Sequence, residues 1–214
     1  MALLKKVKSL IIIVAVFIIA SGINAQKESS VPYDDLQNAF KLSYKYESEG
    51  NFPAAIDALK KVYLSNNYEI NLRLGWLCYL NKKYSESMDY YKIAMNLMPY
   101  AIEAKLGYTY PLSAIEDWSK VADTYIEILK IDPNNTIVLY RLGLIYYYRP
   151  DYQKAYECFE KIVNLYPFDY YSNLMLAWTS YQLGKGKEAE ILFKKVLLIS
   201  PDDSSALEGL NLLK

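Results

Sequence analysis

Three stretches of different hydropathy follow one another along the chain. Residues 9–23 (SLIIIVAVFIIASGI) form an apolar run with Lys5, Lys6 and Lys8 ahead of it. Residues 26–35 (QKESSVPYDD) are polar and carry no apolar period. From Leu36 onward, apolar positions recur at helical spacing. Leu142 and Tyr146 lie four apart, and Phe159 and Ile162 lie three apart, so each pair shares one helix face. The pattern predicts an all-helical chain from residue 36 to the end.

The helices repeat. Pro99, Pro133, Pro167 and Pro201 are each 34 residues apart. Ala55, Ser87, Val121, Ala155 and Ala189 keep the same step after a first interval of 32, and Leu59, Tyr91, Tyr125, Phe159 and Phe193 run beside them. Leu42, Leu74, Tyr108, Leu142 and Leu176 continue the series in the first half of each unit. Each proline ends a helix, because it lacks an N–H and restricts the residue before it. Gly143 and Ala155 are small enough for the two helices of a unit to approach closely. Self-similarity of this length means stacked two-helix units, none of which can bury its apolar faces alone.

On these residues the chain from 36 to 214 resembles the tetratricopeptide-repeat family. The unit TIVLYRLGLIYYYRPDYQKAYECFEKIVNLYPFD (136–169) carries the resemblance most fully, through Leu142-Gly143, Tyr146, Ala155, Phe159, Ile162 and Pro167. The resemblance implies an α-solenoid, a right-handed superhelix of helix-turn-helix repeats at 36–67, 68–101, 102–135, 136–169 and 170–203. Residues 204–214 repeat only a first helix and read as a polar terminal cap.

Two units depart from the pattern. Pro111 falls inside the first helix of the third unit, where a proline costs about 3 kcal/mol in a regular helix. Ser113 and Glu116 have the S-x-x-E spacing of a capping box. The expectation is a helix ending near Tyr110 and a second beginning near Ala114 and running toward Lys130. Either this is a local kink, or the groove widens there. The first unit lacks the exit proline near Asn66, which bears on its packing angle.

In the resembling family the first (A) helix of each unit lines the inner, concave surface. That implies an inward set of Phe40 and Tyr44, then Trp76 and Tyr79, Tyr110, then Tyr140, Tyr147 and Tyr148, and Tyr171, Trp178 and Tyr181, with Leu72, Leu106, Leu144 and Leu174 between them. Rings with polar tips and few rotors are common binding anchors. The alternative is that they only pack between A helices, as Tyr46, Tyr91, Tyr125 and Tyr146 do by their repeat positions. A clamp for C-terminal carboxylates, another use of the fold, is not supported. The inward positions are aromatic or aliphatic, and Lys41, Arg73 and Arg141 are expected to point elsewhere.

Composition narrows the function further. There is no histidine and there are two cysteines, Cys78 and Cys158, which removes the commonest general base and any zinc knuckle. Two repeat steps separate the cysteines, so they are expected to remain buried free thiols. No nucleophile motif or phosphate loop appears. The acid pairs Glu116–Asp117 and Asp202–Asp203 read as helix-start and turn residues. No enzyme activity, cofactor or metal is expected. Without the first 25 residues the chain carries 21 bases against 24 acids, so nucleic acid is an unsuitable ligand.

Residues 1–25 read as a secretory signal with cleavage after Ala25, too short in its apolar run for a comfortable membrane span. The alternative is an uncleaved anchor. The expected location is periplasmic or secreted, with no membrane span after cleavage. The expected function is a non-catalytic scaffold or adaptor holding a protein or peptide in an aromatic groove. Its alternative is a carbohydrate-binding accessory protein. That reading needs acids and amides among the rings, and only Gln37, Glu47, Glu69, Glu103 and Gln182 are present.

Overall fold

The computed structural model describes residues 31–214; the expected signal and the first half of the polar lead-in, residues 26–30, lie outside the described residues. The chain divides into a leading unit reaching Asn38 and a main unit, Ala39–Lys214. Of the leading unit, the described part is chiefly the start of α1.

Eleven α-helices are found among the described residues, and no strand. They are α1 (Tyr33–Ser48), α2 (Phe52–Lys60), α3 (Tyr68–Leu80), α4 (Tyr84–Leu97), α5 (Ile102–Ala114), α6 (Trp118–Ile131), α7 (Thr136–Tyr148), α8 (Tyr152–Leu165), α9 (Tyr170–Gln182), α10 (Gly186–Ile199) and α11 (Ser204–Leu212). The odd-numbered helices up to α9 are the A helices, the even-numbered ones the B helices. Three residues join each A helix to its B helix, so the pair folds back on itself. One backbone bond closes every such turn: Asn51 to Tyr46, Lys83 to Cys78, Asp117 to Leu112, Asp151 to Tyr146 and Lys185 to Ser180, with N–H donating to C=O at 2.8–2.9 Å.

Helix starts are fixed by short polar side chains. Asn67, Asn135, Asp169 and Asp203 accept from the backbone N–H three residues on, as do Asn51, Asp117 and Asp151 ahead of three of the B helices. Two of the paired acids, Asp117 and Asp203, therefore serve as caps.

The third unit corrects the expectation drawn from Pro111. Helix α5 runs through the proline to Ala114, and α6 starts at Trp118. The proline sits in the last turn, where only one backbone bond to residue 107 is forgone. Ser113 donates its hydroxyl to the Thr109 carbonyl rather than capping a helix. Glu116 adopts a left-handed φ of 60°, outside any helix, and Asp117 is the cap instead. In the first unit, the exit turn lacks the proline but keeps the same side-chain bonds through Asn71 that Asn173 makes to Pro167 and Asp169. The buried Asn71 amide donates to the Ser65 and Asn67 carbonyls and fixes the turn.

Rings at one B-helix position organise the core, and glycines on the A helices make room for them. A Cβ on Gly75 or Gly107 would stand 2.9 or 2.2 Å from the Tyr91 ring. Gly143 and Phe159 would clash at 2.7 Å, and Gly209 of α11 and Phe193 at 2.2 Å. The helices thus close to contact distance over each ring. Helix α11 covers Phe193 in this way, although its Leu207 and Leu212 remain exposed.

Three tyrosines outside the expected ring set tie one helix pair to the next, the last through the residue that caps α11. The Tyr68 hydroxyl donates to Glu103 at 2.9 Å, Tyr156 to Glu188 at 2.6 Å, and Tyr170 to Asp203. The bond to Asp203 and burial push Tyr170 up to about 12. Both cysteines are free and buried, and burial pushes Cys78 up to about 11 and Cys158 up to about 12. Unfolded, the thiols would ionise near 9.0 and the phenol near 10.0. Above those values the unfolded chain binds fewer protons than the folded one, so stability falls with rising pH. Chemical unfolding is expected to show stability intact below pH 9 and declining from there to pH 12. In the same range native Cys78 and Cys158 are expected to resist iodoacetamide until denaturant is added; rapid native labelling would contradict their burial.

Candidate functional site

The A helices bring the expected rings into separate clusters rather than one unbroken row. Phe40 and Tyr44 lie 6.5 Å apart on α1. Trp76 and Tyr79 of α3 meet Tyr110 of α5, with centroids 5.7 and 5.5 Å away, so this cluster spans two units. Tyr140 of α7 meets Tyr171 of α9 at 6.4 Å. Tyr147 and Tyr148 are edge-on at 5.5 Å, and Trp178 and Tyr181 are edge-on at 5.9 Å. Among the described residues, no ring contact links α5 to α7.

Burial divides the same set. Tyr44, Tyr148 and Tyr171 are exposed, at 56%, 76% and 64%. The other eight are half-buried, each with one face on a neighbour. Tyr91 and Tyr125 are buried core rings, whereas Tyr46 and Tyr146 are half-buried.

Two arginines overturn an expectation. Arg73 does not turn away from the A-helix face. Its guanidinium lies 3.9 Å from the centre of the Tyr44 ring, pairs with Glu47 and donates from Nε to Ser43 at 3.2 Å. Trp76 donates its indole N–H to the same carboxylate at 2.6 Å. Arg73, Tyr44 and Trp76 border a hollow between α1 and α3.

Arg141 likewise faces a cavity. It lies between α5, α6 and α7, measures about 700 Å³, and is lined mainly by apolar side chains. From α7 come Arg141, Leu144, Ile145 and Tyr148, spaced i, i+3, i+4 and i+7, a single helix face. From α6 come Trp118, Val121 and Tyr125, again on one face, and α5 adds Thr109, Tyr110 and Ser113. Burial depresses the Arg141 guanidinium, but the Tyr125 and Tyr110 hydroxyls beside it outweigh that and hold it above its ordinary value.

The cleft has a packing cause. Tyr125 occupies the ring position of the third unit, but no glycine receives it. Thr109 stands where Gly75 and Gly143 stand in their own units, and Arg141 stands where Gly107 and Gly209 meet the preceding ring. Tyr91, Phe159 and Phe193 each have at least one glycine. Bulk on both sides of Tyr125 holds α5 and α7 apart, while Ile128, Val138 and Leu142 remain buried in one cluster and keep the units joined. The row of rings breaks at the same junction.

Of the lining residues, Tyr110, Leu144 and Tyr148 were expected from the sequence. Trp118, Arg141 and Arg149 were not. The α7 stripe and the absent glycine at residue 109 are the signals that could have found them.

Family models described as tetratricopeptide repeat match residues 40–96, 137–169 and 170–203. The stretch between the first two matches is essentially the third helix pair, whose ring lacks a glycine. Among solved structures, the chain is similar to a tetratricopeptide repeat protein from Parabacteroides merdae ATCC 43184, with 22% identity and a TM-score of 0.70 over 84% of this chain and 72% of that one. It is similar to a MamA protein at 22% identity and a TM-score of 0.67, over 80% and 94% of the two chains. MamA from Desulfovibrio magneticus RS-1 gives 19% and 0.66, over 81% and 99%. Comparison with curated proteins finds no match. At these identities the structures speak for the fold; with the family matches and the repeated helix pairs, they make this chain a member of the tetratricopeptide-repeat family.

Proposed function

We propose that the chain is a non-catalytic scaffold, exported to the cell envelope, that holds a peptide segment or partner protein against the ring-bearing A-helix face. The observation that carries this reading is the aromatic surface itself. Eleven rings recur on successive A helices, three of them exposed and eight offering part of their surface. Tyrosine and tryptophan supply contact area at a low entropic cost, so a run of them suits a bound chain. Among the described residues no helix is long and apolar enough to cross a membrane.

The sugar-binding alternative loses ground because two of its three acids are engaged internally. Glu47 is held by Arg73 and Trp76, and Glu103 by Tyr68.

The test is affinity capture from native envelope with the wild type and with Tyr44→Ala plus Tyr171→Ala. Both rings are exposed, so the variant is expected to keep its helix content, with at most a small fall in unfolding temperature from the lost contact between Tyr44 and Arg73. It should lose at least one specific partner by about ten-fold, the size of a 1.4 kcal/mol anchor. Equal recovery of every partner by both baits would remove the ring face from the function.

A further inference from the structure

We propose that the cleft between α5, α6 and α7 is the selectivity pocket of this scaffold, taking a bulky apolar side chain of a partner segment while Arg141 and Arg149 meet a carboxylate beside it. The proposal rests on the scaffold reading above and names the chemistry of the segment it holds.

Size and lining set the first half of that chemistry. About 700 Å³ is room for a large aromatic or aliphatic side chain and its flanking backbone. Trp118, Val121, Tyr125, Leu144, Ile145 and Tyr148 offer it rings and branched aliphatics on two faces. The opening lies where Thr109 and Arg141 flank the Tyr125 ring, which has a glycine on neither side, unlike Tyr91, Phe159 and Phe193.

Charge sets the second half. Among the described residues, no carboxylate lies within ion-pair distance of Arg141 or Arg149. The Arg149 guanidinium donates to the Ser119 hydroxyl, at 3.2 Å. Asp117 feels the charge of Arg149, but it is paired with Lys120 and caps α6. Arg73 makes the contrast: it occupies the same repeat position as Arg141, and there Glu47 neutralises it. Two uncompensated guanidinium groups at the rim of an apolar hollow select an anionic partner, since each offers a planar fork of donors to a carboxylate.

Continuity with the ring face favours a peptide over a free small acid. Tyr110 ends the cluster begun by Trp76 and Tyr79, and Tyr148 begins the next with Tyr147; both line the cleft. A segment laid along the rings would cross the opening where the row is interrupted.

The experiment pans a random dodecapeptide display library on the full chain, then measures a synthetic peptide of the enriched consensus by fluorescence anisotropy. The expected consensus places Asp or Glu next to Phe, Trp or Leu. Binding should weaken with added salt, and by at least about ten-fold for Arg141→Gln plus Arg149→Gln and for Trp118→Ala. The exposed arginines can be changed without unfolding the chain, which circular dichroism checks. Four results would overturn the proposal: no enrichment, a consensus without acids, unchanged binding by the arginine variant, or sodium dodecanoate displacing the peptide as the tighter ligand. The scaffold reading fails separately, only if the Tyr44→Ala plus Tyr171→Ala bait keeps every partner.

Discussion

Phe159→Ala is expected to lower the free energy of unfolding by about 3–5 kcal/mol, the usual cost of emptying a ring-sized site in a close-packed core. Phe159 is fully buried, stands edge-on to Tyr140 at 5.8 Å and lies directly over Gly143. The backbone already touches the ring through that glycine, which has no side chain to fill the void. Tyr125→Ala at the equivalent position should cost less, about 2 kcal/mol, because its ring borders a cleft that water can already reach. Urea unfolding of both variants at neutral pH measures the difference. A larger loss at Tyr125 than at Phe159 would show that the third junction is packed as tightly as the others.

Glu47→Ala is expected to cost about 2–4 kcal/mol, more than a surface ion pair ever returns. Arg73 is only 9% exposed, and the substitution would leave its guanidinium without a carboxylate and the Trp76 indole without an acceptor. The partial exposure of Glu47, at 23%, places the effect toward the lower end. Removing both charges with Glu47→Ala plus Arg73→Met should recover part of the loss, since the penalty comes from stranding one partner. A double variant that costs the sum of the two single ones would mean that the groups act independently.

Most of the architecture was legible in the residues. Prolines at a constant step, small residues where helices touch, and apolar positions three and four apart all act within one helix pair or between neighbours, so local periodicity carries them. Pro111 misled because sequence weighs a proline by its cost inside a regular helix. It could not show that residue 111 would fall in the final turn, with Asp117 already placed to begin the next helix. The arginines misled for a related reason. Arg73 and Arg141 share one repeat position, and nothing local says that one would meet Glu47 while the other would meet a gap.

The sequence by itself determined the helix pairs, their order and the faces on which the rings lie, because those follow from spacing along a single helix. Only the tertiary structure decided how closely each pair approaches the next. That distance depends on which side chain stands opposite a given ring, a relation between residues 16 positions apart such as Tyr91 with Gly107 and Tyr125 with Arg141. A glycine there lets two helices close, and a threonine with an arginine leaves the cleft.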